Sequence, residues 1–587
     1  MSILDKSIPI LGAHVEENGV VFSVWAPFAS SVAVTGSFNE WDEQALEKLD
    51  GGIWSGRVEN AKPGQEYKFV ITNGDNKLQK NDPRALQLTT SGDNSLIVDP
   101  DFEWQDDAYE LPELNKRIVY ELHIGTFNRH DPATPGTFET AVEKLDYLAD
   151  LGINVIELMP VTSTTADRWW GYDPDYLFAV EAAYGGRWAF MEFVKQAHKR
   201  GIGVILDVVY NHMSPYPGMD LWQFDGWSQD GKGGIYFYND WRGDTPWGPR
   251  LDYGREEVRD YIVDNAIMWL RDCHVDGLRL DAVFQIRNAL GRNDDPGSDL
   301  PDGWKLVQEI NKQAKKVKPS SMIVAEDMDL NEWITKPIDE KGAGFDLQWG
   351  TSMPSTLRGA IIPVDDKDRR LEPLKQAIEK KYNGDAFQRI IYSESHDADA
   401  NGHARTNEEI APGNSGNLPA RRRSTLAAGL VMTMPGVPML FQGQEFMEDG
   451  WFNHWKGLDW DKTKEFPGVV QLYKDLIKLR MNVDGKTGGL TGDSAEILHL
   501  NEEDKVIAYL RFGNDDDVVV AANLSHDQKL NYSVKFPANG EWKVRFNSDW
   551  SGYSHDFTNT ETPNVKVEQN MGPVNLGPYS LVILSRD

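Results

Sequence analysis

Acidic residues recur at the ends of apolar segments in the middle of this sequence. The segment HVDGLRLDAVF, residues 274–284, alternates like a β-strand and yet carries Arg279 and Asp281 two positions apart. Side chains at i and i+2 of a strand point to the same face, so a cation and an anion would project together from a buried segment. Because isolated buried charges are costly, the two must pair, either as a structural ion pair or within a site that uses their charge.

Acids and histidines stand at the ends of three further segments of the same kind. If these segments are parallel strands of one barrel, their carboxyl ends share a rim and the side chains converge there. A single acid could instead cap the following helix, and a single histidine could be a core residue, but the joint pattern at four strands favours one site. The residues concerned are Asp207, Asn211 and His212, then Glu326, then His396 and Asp397.

Three convergent carboxylates without a cluster of cysteines or histidines favour proton and nucleophile chemistry over a zinc site. Retaining glycosidases use one carboxylate as nucleophile and one protonated carboxyl as acid, about 5–5.5 Å apart. Asp281 is the predicted nucleophile because Arg279 would hold it ionised. Glu326 is the predicted acid because neighbouring carboxylates should raise its pKa, and Asp397 would stabilise the transition state. The hydrogen-bond donors for hydroxyls of the same sugar would be His212 and His396.

The segments that carry these residues alternate with helical patterns. From Arg117 onward, short apolar strands such as INVIELMPV alternate with amphipathic segments such as FETAVEKLDYLADLG. Eight such units predict a closed, parallel (β/α)8 TIM barrel. This barrel is predicted over residues 106–487, with an insertion rich in Gly and Trp at about 210–254.

All-β patterns flank the barrel region on both sides. Residues 1–105 alternate with period two and break at Gly, Pro and Asn-Gly, which predicts a β-sandwich. Residues 488–587 return to short strands and predict a second, C-terminal β-sandwich. The predicted fold is therefore α/β, with a TIM barrel between two β-sandwich domains.

Composition restricts the class of partner. The chain of 587 residues carries 92 acidic and 60 basic residues, a formal net charge of −32. This field would repel nucleic acid and anionic membranes, so neither is predicted as a partner, and a neutral substrate suits it. The longest apolar stretch, 426–441, is too short for a bilayer and contains two prolines. With one cysteine, Cys273, and no secretory pattern at the N-terminus, a cytoplasmic enzyme is predicted.

The four acid-bearing segments resemble, in order, the signature regions of the α-amylase superfamily, glycoside hydrolase family 13. This resemblance implies a retaining attack on α-glucosidic bonds, with Asp281 as nucleophile, Glu326 as acid/base and Asp397 as transition-state stabiliser. It also implies an innermost sugar subsite completed by Arg279, His212, His396 and Asp207. The segments are DVVYNH (207–212), GLRLDAV (277–283), VAED (324–327) and SHD (395–397).

Two further regions extend the resemblance. WWGYD, residues 169–173, resembles the family segment after the second strand, whose tyrosine, here Tyr172, stacks on the innermost sugar; simple packing is the alternative. Residues 1–105 look like a family 48 carbohydrate-binding module. Core packing is the alternative for each of its tryptophans and is favoured for Trp25. The residues that could form a glucan platform are Trp25, Trp41, Trp54 and Lys68.

The C-terminal part favours one activity within the family. Residues 439–460 and 531–553 resemble 1,4-α-glucan branching enzymes, which would cut an α-1,4 chain of glycogen, amylose or a maltooligosaccharide and pass the piece to a 6-hydroxyl. TPWGPRLDYG and LRLDAVFQIR, however, resemble maltooligosyltrehalose trehalohydrolases, and ADANGHARTNEE after SHD departs from branching enzymes. An α-glucan hydrolase, trehalose-releasing or of amylase or debranching type, is the second hypothesis. A non-catalytic glucan-binding protein is the third.

No cofactor and no metal are predicted. The resemblance leaves calcium open, since some amylases bind it through the asparagine of the third-strand motif, here Asn211, but branching enzymes generally do not. A monomer is favoured.

Overall fold

A computed structural model of the chain describes residues 10–90, 92–105, 108–164, 170–215, 219–328, 331–513 and 516–586.

Two antiparallel sheets make up the N-terminal region. Their strands are β1 (Gly12–Glu16), β2 (Gly19–Trp25), β3 (Ser31–Gly36), β4 (Gln44–Ala45), β5 (Glu47–Lys48), β6 (Ile53–Val58), β7 (Glu66–Asn73), β8 (Asn76–Lys80) and β9 (Ser95–Leu96). One sheet has the order β1-β2-β6-β5 and the other β4-β3-β7-β8, with β9 paired to β7. Phe22 of the first sheet packs on Tyr67 of the second, with 4.9 Å between ring centroids. The predicted N-terminal β-sandwich is confirmed.

Eight parallel strands form the central barrel, beside a short hairpin, β12–β13. The strands of this region are β10 (Val119–Leu122), β11 (Val155–Leu158), β12 (Thr162–Ser163), β13 (Tyr176–Val180), β14 (Gly203–Val208), β15 (Gly277–Leu280), β16 (Met322–Asp327), β17 (Leu347–Gly350), β18 (Ile390–Ile391) and β19 (Val437–Phe441). The eight barrel strands have the order β17-β16-β15-β14-β11-β10-β19-β18. A parallel bridge between Gln348 and Arg389 joins β17 to the segment of β18 and so closes the ring. The barrel strands therefore follow chain order around a closed ring, which confirms the TIM barrel.

Helices connect the barrel strands. They are α1 (Ile124–Phe127), α2 (Phe138–Val142), α3 (Leu145–Leu151), α4 (Gly186–His198), α5 (Glu256–Arg271), α6 (Val283–Arg287), α7 (Pro301–Val317), α8 (Met353–Ile361), α9 (Glu372–Glu379), α10 (Thr406–Ile410), α11 (Leu418–Thr433), α12 (Lys462–Glu465) and α13 (Pro467–Arg480). Proline begins α7 and α13, where its missing N–H loses no helical hydrogen bond. The segment FETAVEKLDYLADLG divides into α2 and α3. Among helices in the described ranges, none has the length and apolar character needed to cross a bilayer.

The C-terminal region is all-β, as predicted. Its strands are β20 (Ser494–Asn501), β21 (Val506–Gly513), β22 (Asp516–Asn523), β23 (Lys529–Lys535), β24 (Gly540–Asn547), β25 (Val565–Val567), β26 (Met571–Leu576) and β27 (Ser580–Ser585). One sheet has the order β20-β21-β22-β27-β24-β25 and the other pairs β23 with β26. A separate apolar core that includes Val519, Phe536 and Trp542 lies within this region. The domain boundaries predicted at 105 and 487 remain predictions.

The predicted barrel insertion packs against the N-terminal sheets. Phe28 stacks on Trp227 at 4.6 Å between ring centroids, and the edge of Trp25 meets Tyr236 at 5.5 Å. Trp25 and Trp54 are each only 6% exposed, so neither offers a ring face to a sugar. Tertiary packing covers both rings, so the core position favoured for Trp25 is confirmed, and the platform interpretation is wrong for Trp54.

Trp41 is the exposed member of the predicted platform. Its side chain is 42% exposed, whereas the Trp54 indole lies inside the sandwich and donates to the Ala26 carbonyl at 3.0 Å. Lys68 lies on β7 and is half-buried. Binding of glucan by this region stays a prediction that rests on Trp41 and Lys68.

Candidate active site

The predicted site residues lie together at the carboxyl ends of the barrel strands. Asp207 on β14 and Arg279 on β15 are direct neighbours in the sheet register. Asp281 immediately follows β15, and Glu326 is the penultimate residue of β16. Asp397 lies six residues after the end of β18, the strand that follows β17 around the ring. The parallel barrel thus brings residues from distant parts of the chain to one rim.

Arg279 is the centre of this arrangement. Its Nη1 lies 2.8 Å from Asp207 Oδ2 and 2.8 Å from Asp281 Oδ1, and its Nη2 lies 3.1 Å from Glu326 Oε2. The guanidinium also lies 4.5 Å from the centre of the Trp349 ring. A single buried cation is therefore shared by three carboxyl groups. The pairing predicted between Arg279 and Asp281 exists, but it is one of three contacts and leaves the site with more acids than cations.

Glu326 has a pKa that is raised far enough above its ordinary value for the carboxyl to act as an acid. Burial raises its pKa to about 8; Arg279 opposes this shift, while Asp281 and Asp397 add to it. Crowding by carboxylates was the predicted cause, whereas the larger contribution is burial. A carboxyl that keeps its proton at neutral pH is suited to protonate a leaving group.

A strained backbone conformation at Ala282 directs its N–H toward Glu326. Ala282 has φ of +42° and ψ of +52°, a left-handed conformation that costs a non-glycine residue on the order of 1 kcal/mol. In this conformation its N–H donates to Glu326 Oε2 at 2.8 Å. Residues in such conformations cluster at functional sites, where the surrounding structure maintains them.

Asp281 is oriented by two side chains that each hold one of its oxygens. Arg279 contacts Oδ1, and the Asn211 amide donates to Oδ2 at 2.7 Å. Asn211 Oδ1 lies 2.5 Å from His212 Nδ1, so the two residues fix each other. His212 Nε2 lies 3.7 Å from Asp173. The sequence places Asn211 on this rim and suggests it as a possible calcium ligand, but its role in orienting Asp281 was not predicted.

His396 forms the opposite wall of the site. Its Nδ1 lies 2.5 Å from Glu121 Oε1, and its Nε2 lies 3.6 Å from Asp397 Oδ1. Burial acts to lower the pKa of His396, but Asp397 and Glu121 raise it to about 9. The Tyr172 ring packs on the imidazole with centroids 4.9 Å apart, and its hydroxyl donates to Asp207 Oδ2 at 2.6 Å.

Tyr172 therefore lies within the cluster of predicted site residues. Its ring packs on His396 and its hydroxyl donates to Asp207, while stacking on a sugar remains a prediction. Trp169, the first residue of the same WWGYD segment, lies outside the described residues. Burial raises the pKa of the neighbouring Asp207 to about 7, although Arg279 lowers it.

Two buried glutamates belong to the same interior and were missed from the sequence. Glu121 on β10 and Glu157 on β11 are neighbours in register, and each is 1% exposed. Burial, with Glu121 next, raises the pKa of Glu157 well above its usual range. The signal was a lone glutamate in each of two apolar strands, VYELH and VIELM, but only the acids at later strand ends were considered.

A cavity of about 550 Å³ opens beside the predicted catalytic acids. Glu326 and Asp397 line it together with α8 and the segment that follows Asp397. A larger groove of about 810 Å³, lined among others by Lys116, Asp516 and Arg586, lies where the barrel meets the C-terminal region. It contains none of the predicted site residues, so the smaller cavity is the one relevant to the chemistry. In the part of the chain that the structure describes, no group of three His, Cys, Asp or Glu side chains is placed to hold a metal ion.

Three family descriptions match successive parts of the chain. "Alpha amylase, catalytic domain" matches residues 122–511. "Carbohydrate-binding module 48 (Isoamylase N-terminal domain)" matches residues 10–85, and "Alpha amylase, C-terminal all-beta domain" matches residues 497–587.

Individual proteins match over most of the chain. A protein named 1,4-alpha-glucan branching enzyme GlgB from Corynebacterium jeikeium is 30% identical over 572 residues, covering 92% of this chain and 77% of that protein. A protein of the same name from Salinibacter ruber is 28% identical over 580 residues, covering 92% of this chain and 90% of that protein. The solved structure of a pullulanase from Anoxybacillus sp., complexed with maltotetraose, has a TM-score of 0.75 at 20% identity over 98% of this chain and 87% of that one.

Proposed function

The chain belongs to the α-amylase family, and from this premise we propose that it is a 1,4-α-glucan branching enzyme. It is thus a family 13 enzyme, a glycosidase or transglycosylase. The proposed reaction cleaves an α-1,4 bond of glycogen, amylose or a maltooligosaccharide and re-forms the glycosyl bond at a 6-hydroxyl. The observation that supports this chemistry is that the Arg279 guanidinium contacts both carboxyl groups, that of Asp281 at 2.8 Å and that of Glu326 at 3.1 Å.

In the first step, Asp281 would attack the anomeric carbon of the sugar at the cleavage point. Asn211 and Arg279 each hold one of its oxygens and so fix the direction of attack. Glu326, protonated because burial raises its pKa to about 8, would donate its proton to the departing glycosidic oxygen. The result is a covalent glycosyl ester on Asp281 and an ionised Glu326.

In the second step, ionised Glu326 would accept the proton of an incoming hydroxyl, which attacks the same carbon and releases Asp281. Two displacements at one carbon retain the α configuration. Asp397 would hold hydroxyls of the reacting sugar and stabilise the positive charge of the transition state, while protonated His396 would donate a hydrogen bond to a hydroxyl of the same sugar.

The acceptor distinguishes the proposed activity from its main alternative. If water is the acceptor, the enzyme is an α-glucan hydrolase, and the likeness of two segments to trehalose-releasing hydrolases keeps this as the second candidate. The two named relatives above favour branching. The monomeric state and the cytoplasmic location stay predictions.

Incubation with amylose tests the proposal directly. New α-1,6 linkages, detected by NMR of the product, together with little gain in reducing ends, are the expected result. Rapid release of reducing ends, or of trehalose from maltooligosyltrehalose, would contradict branching and favour the hydrolase.

A further inference from the structure

A small buried cavity lies apart from the active site, where the residues that lead to His396 meet α10 and α11. Its volume of about 10 Å³ is the space that a single water molecule or a small ion needs. It shares no lining residue with the cavity beside Glu326. The polar residues used below from its lining are Ser393, Glu394, Thr406, Ser424, Gln444 and Glu448.

Two hydroxyl groups of this lining are buried without a hydrogen-bond partner among the residues that the structure describes. They are Thr406 Oγ1 and Ser424 Oγ. Thr406 is 2% exposed and begins α10, whereas Ser424 is half-buried and lies in α11. Because a buried hydroxyl group that stays unpaired is costly, the two oxygens indicate a bound water or ion between these helices.

The protein itself holds the neighbouring polar groups of the lining in place. Glu394 Oε1 accepts from the Thr406 N–H at 2.9 Å, and Ser393 Oγ accepts from the Gln444 side-chain amide at 2.9 Å. These contacts fix a carboxyl group and a third hydroxyl group beside the two unpaired ones. The cavity therefore presents its oxygen atoms in a fixed arrangement, which lowers the entropic cost of binding a ligand.

Several buried acids near this cavity share one guanidinium. Arg405 is 2% exposed, and its Nη1 lies 3.5 Å from Glu394 Oε2. Burial acts to raise the pKa of Asp399, Glu445 and Glu448, and the positive charge of Arg405 opposes that rise at all three. Arg405 therefore serves four acids, each of which is at most 4% exposed.

Glu394 is the acid that lines the cavity without a second cation. Glu448 also lines it, but its Oε1 lies 3.0 Å from Lys456 Nζ and its Oε2 accepts from the Asp459 N–H at 2.7 Å. Among the cations of the described chain, Glu394 has Arg405 alone, at a distance longer than that of a charge-assisted hydrogen bond. A positive ion in the cavity would complete the balance of charge at Glu394.

We infer that this cavity binds one sodium ion, with Glu394, Thr406 Oγ1 and Ser424 Oγ as its ligands. An oxygen donor set suits a hard cation rather than a transition metal. Calcium takes more oxygen ligands than these, and magnesium keeps several waters, for which a cavity of about 10 Å³ has no room. One carboxyl group without a second cation matches a single positive charge, and the space of one water molecule suits sodium better than the larger potassium ion.

A bound sodium ion would join three parts of the barrel. Glu394 directly precedes the SHD segment that carries His396 and Asp397, Thr406 begins α10, and Ser424 lies in α11. The unfolded chain has no such arrangement of oxygen atoms, so the ion would bind the folded state alone and stabilise it by mass action.

Thermal unfolding of the full chain in matched salts tests the site. At a fixed chloride concentration and ionic strength, N-methylglucamine is replaced stepwise by Na⁺ or K⁺. For the wild type we expect the Tm to rise by about 1–2 °C with Na⁺ along a saturating curve, and to rise less with K⁺. A Tm that is the same in Na⁺ and N-methylglucamine would overturn the inference, and a larger rise with K⁺ would overturn the choice of sodium.

Variants that remove one ligand oxygen separate this site from general effects of salt. In Thr406→Val and in Ser424→Ala the Na⁺-dependent rise in Tm should fall to less than about half of the wild-type rise. Thr425→Val is the matched control, because its hydroxyl lies in the same helix, donates to the Arg421 carbonyl at 2.9 Å and does not line the cavity. Its Na⁺-dependent rise should equal that of the wild type, whatever its Tm in N-methylglucamine.

Ser424→Ala keeps the test available if Thr406→Val does not fold, since Ser424 is half-buried. An equal Na⁺-dependent rise in the wild type and in this variant would overturn the inference.

A crystal structure of the wild type grown with sodium chloride identifies the occupant directly. An ion should contact the three ligand oxygens at less than about 2.6 Å, whereas a water molecule would lie at hydrogen-bond distances of about 2.7–2.8 Å. The second result would mean that the cavity holds water only and would overturn the inference. Neither measurement depends on which glucan reaction the enzyme catalyses.

Discussion

An acid flanks β15 at each end, buried Asp276 before it and partly buried Asp281 after it, and the two ends differ in how the negative charge is balanced. At the amino end, Asp276 is fully buried and accepts from the Val204 N–H at 2.7 Å, from His198 Nε2 at 2.8 Å and from Lys318 Nζ at 2.6 Å. At the carboxyl end, Arg279 serves three carboxyl groups, and a cavity opens beside them.

This difference separates structure from chemistry within one strand. The acid at the amino end is matched by several donors and closed to solvent, which suits an ion pair that joins β14, α4 and the end of α7. The acids at the carboxyl end outnumber their cation, and burial, reinforced by this crowding, raises the pKa of Glu326 to about 8 and that of Asp207 to about 7. A surplus of carboxyl groups around one cation is costly for folding and useful for proton transfer.

The largest expected effect comes from Asp281→Asn at the carboxyl end. Because the amide cannot form the glycosyl ester, glucan cleavage should fall by about 1,000-fold or more. The thermal midpoint should change little, since removing one of three acids around Arg279 relieves repulsion. Product formation from amylose and a thermal melt measure the two quantities, and a variant that stays fully active would contradict the assigned nucleophile.

Asp276→Ala at the amino end should show the reverse pattern. Deleting the acid leaves buried His198 and partly buried Lys318 without their anion, at a cost of about 3–5 kcal/mol in the free energy of unfolding. Activity per folded molecule should stay within about twofold of the wild type. Denaturant unfolding measures the stability, and active-site titration with a glycosyl fluoride measures the activity per folded molecule. Unchanged stability together with lost activity would contradict a purely structural role for Asp276.

The pH dependence of the wild type sharpens the comparison. Burial raises the pKa of Glu326 to about 8, so the protonated form that the proposed mechanism requires is lost as the pH rises through that value. Cleavage of maltohexaose should fall about tenfold per pH unit above pH 8, whereas cleavage of α-maltotriosyl fluoride, whose fluoride departs without a proton, should not share this decline.

The ratio of the two rates isolates Glu326 from its neighbours. Asp207, with a pKa of about 7, and His396, with a pKa of about 9, titrate in the same range but lie on the side of the reacting sugar. Their ionisation would therefore change both reactions alike. An identical alkaline decline for maltohexaose and the fluoride donor would contradict the role of Glu326.

The smallest expected effect is that of Ala282→Gly. Glycine adopts the left-handed conformation without penalty, so the folded state should gain up to about 1 kcal/mol, offset in part by the freer unfolded chain. The N–H that holds Glu326 would become less rigid, and kcat should fall about two- to fivefold. A thermal melt and steady-state kinetics measure both changes; a rise in kcat would show that the strain has no catalytic use.

Much of the barrel and of the candidate site was predictable from local patterns. The alternation of apolar strands and amphipathic helices predicts eight parallel units, and in such a barrel every acid at a strand end must lie on the same rim. Asp207, Arg279, Asp281, Glu326 and the pair that follows β18 could be grouped for this reason. The division of FETAVEKLDYLADLG into α2 and α3 could not be predicted, because the amphipathic pattern of this segment continues through the break.

Side-chain partners across the barrel were beyond the sequence. Glu121 contacts His396 across a separation of 275 residues, and no local pattern shows which interior residue a buried glutamate will meet. Trp54 has the composition of a sugar platform, yet the sandwich covers it. In both cases burial decides the outcome, and burial is a property of packing between distant segments.

The sequence by itself determined which residues line the rim, because strand period and helix period are local and the carboxyl ends of parallel strands meet by necessity. Only the tertiary structure decided their protonation, through the burial of Glu326, and the extent of the cavity, through the placement of α8 against the segment after Asp397. Desolvation and cavity shape depend on every neighbouring segment at once, whereas the order of acids along the strands depends on each strand alone.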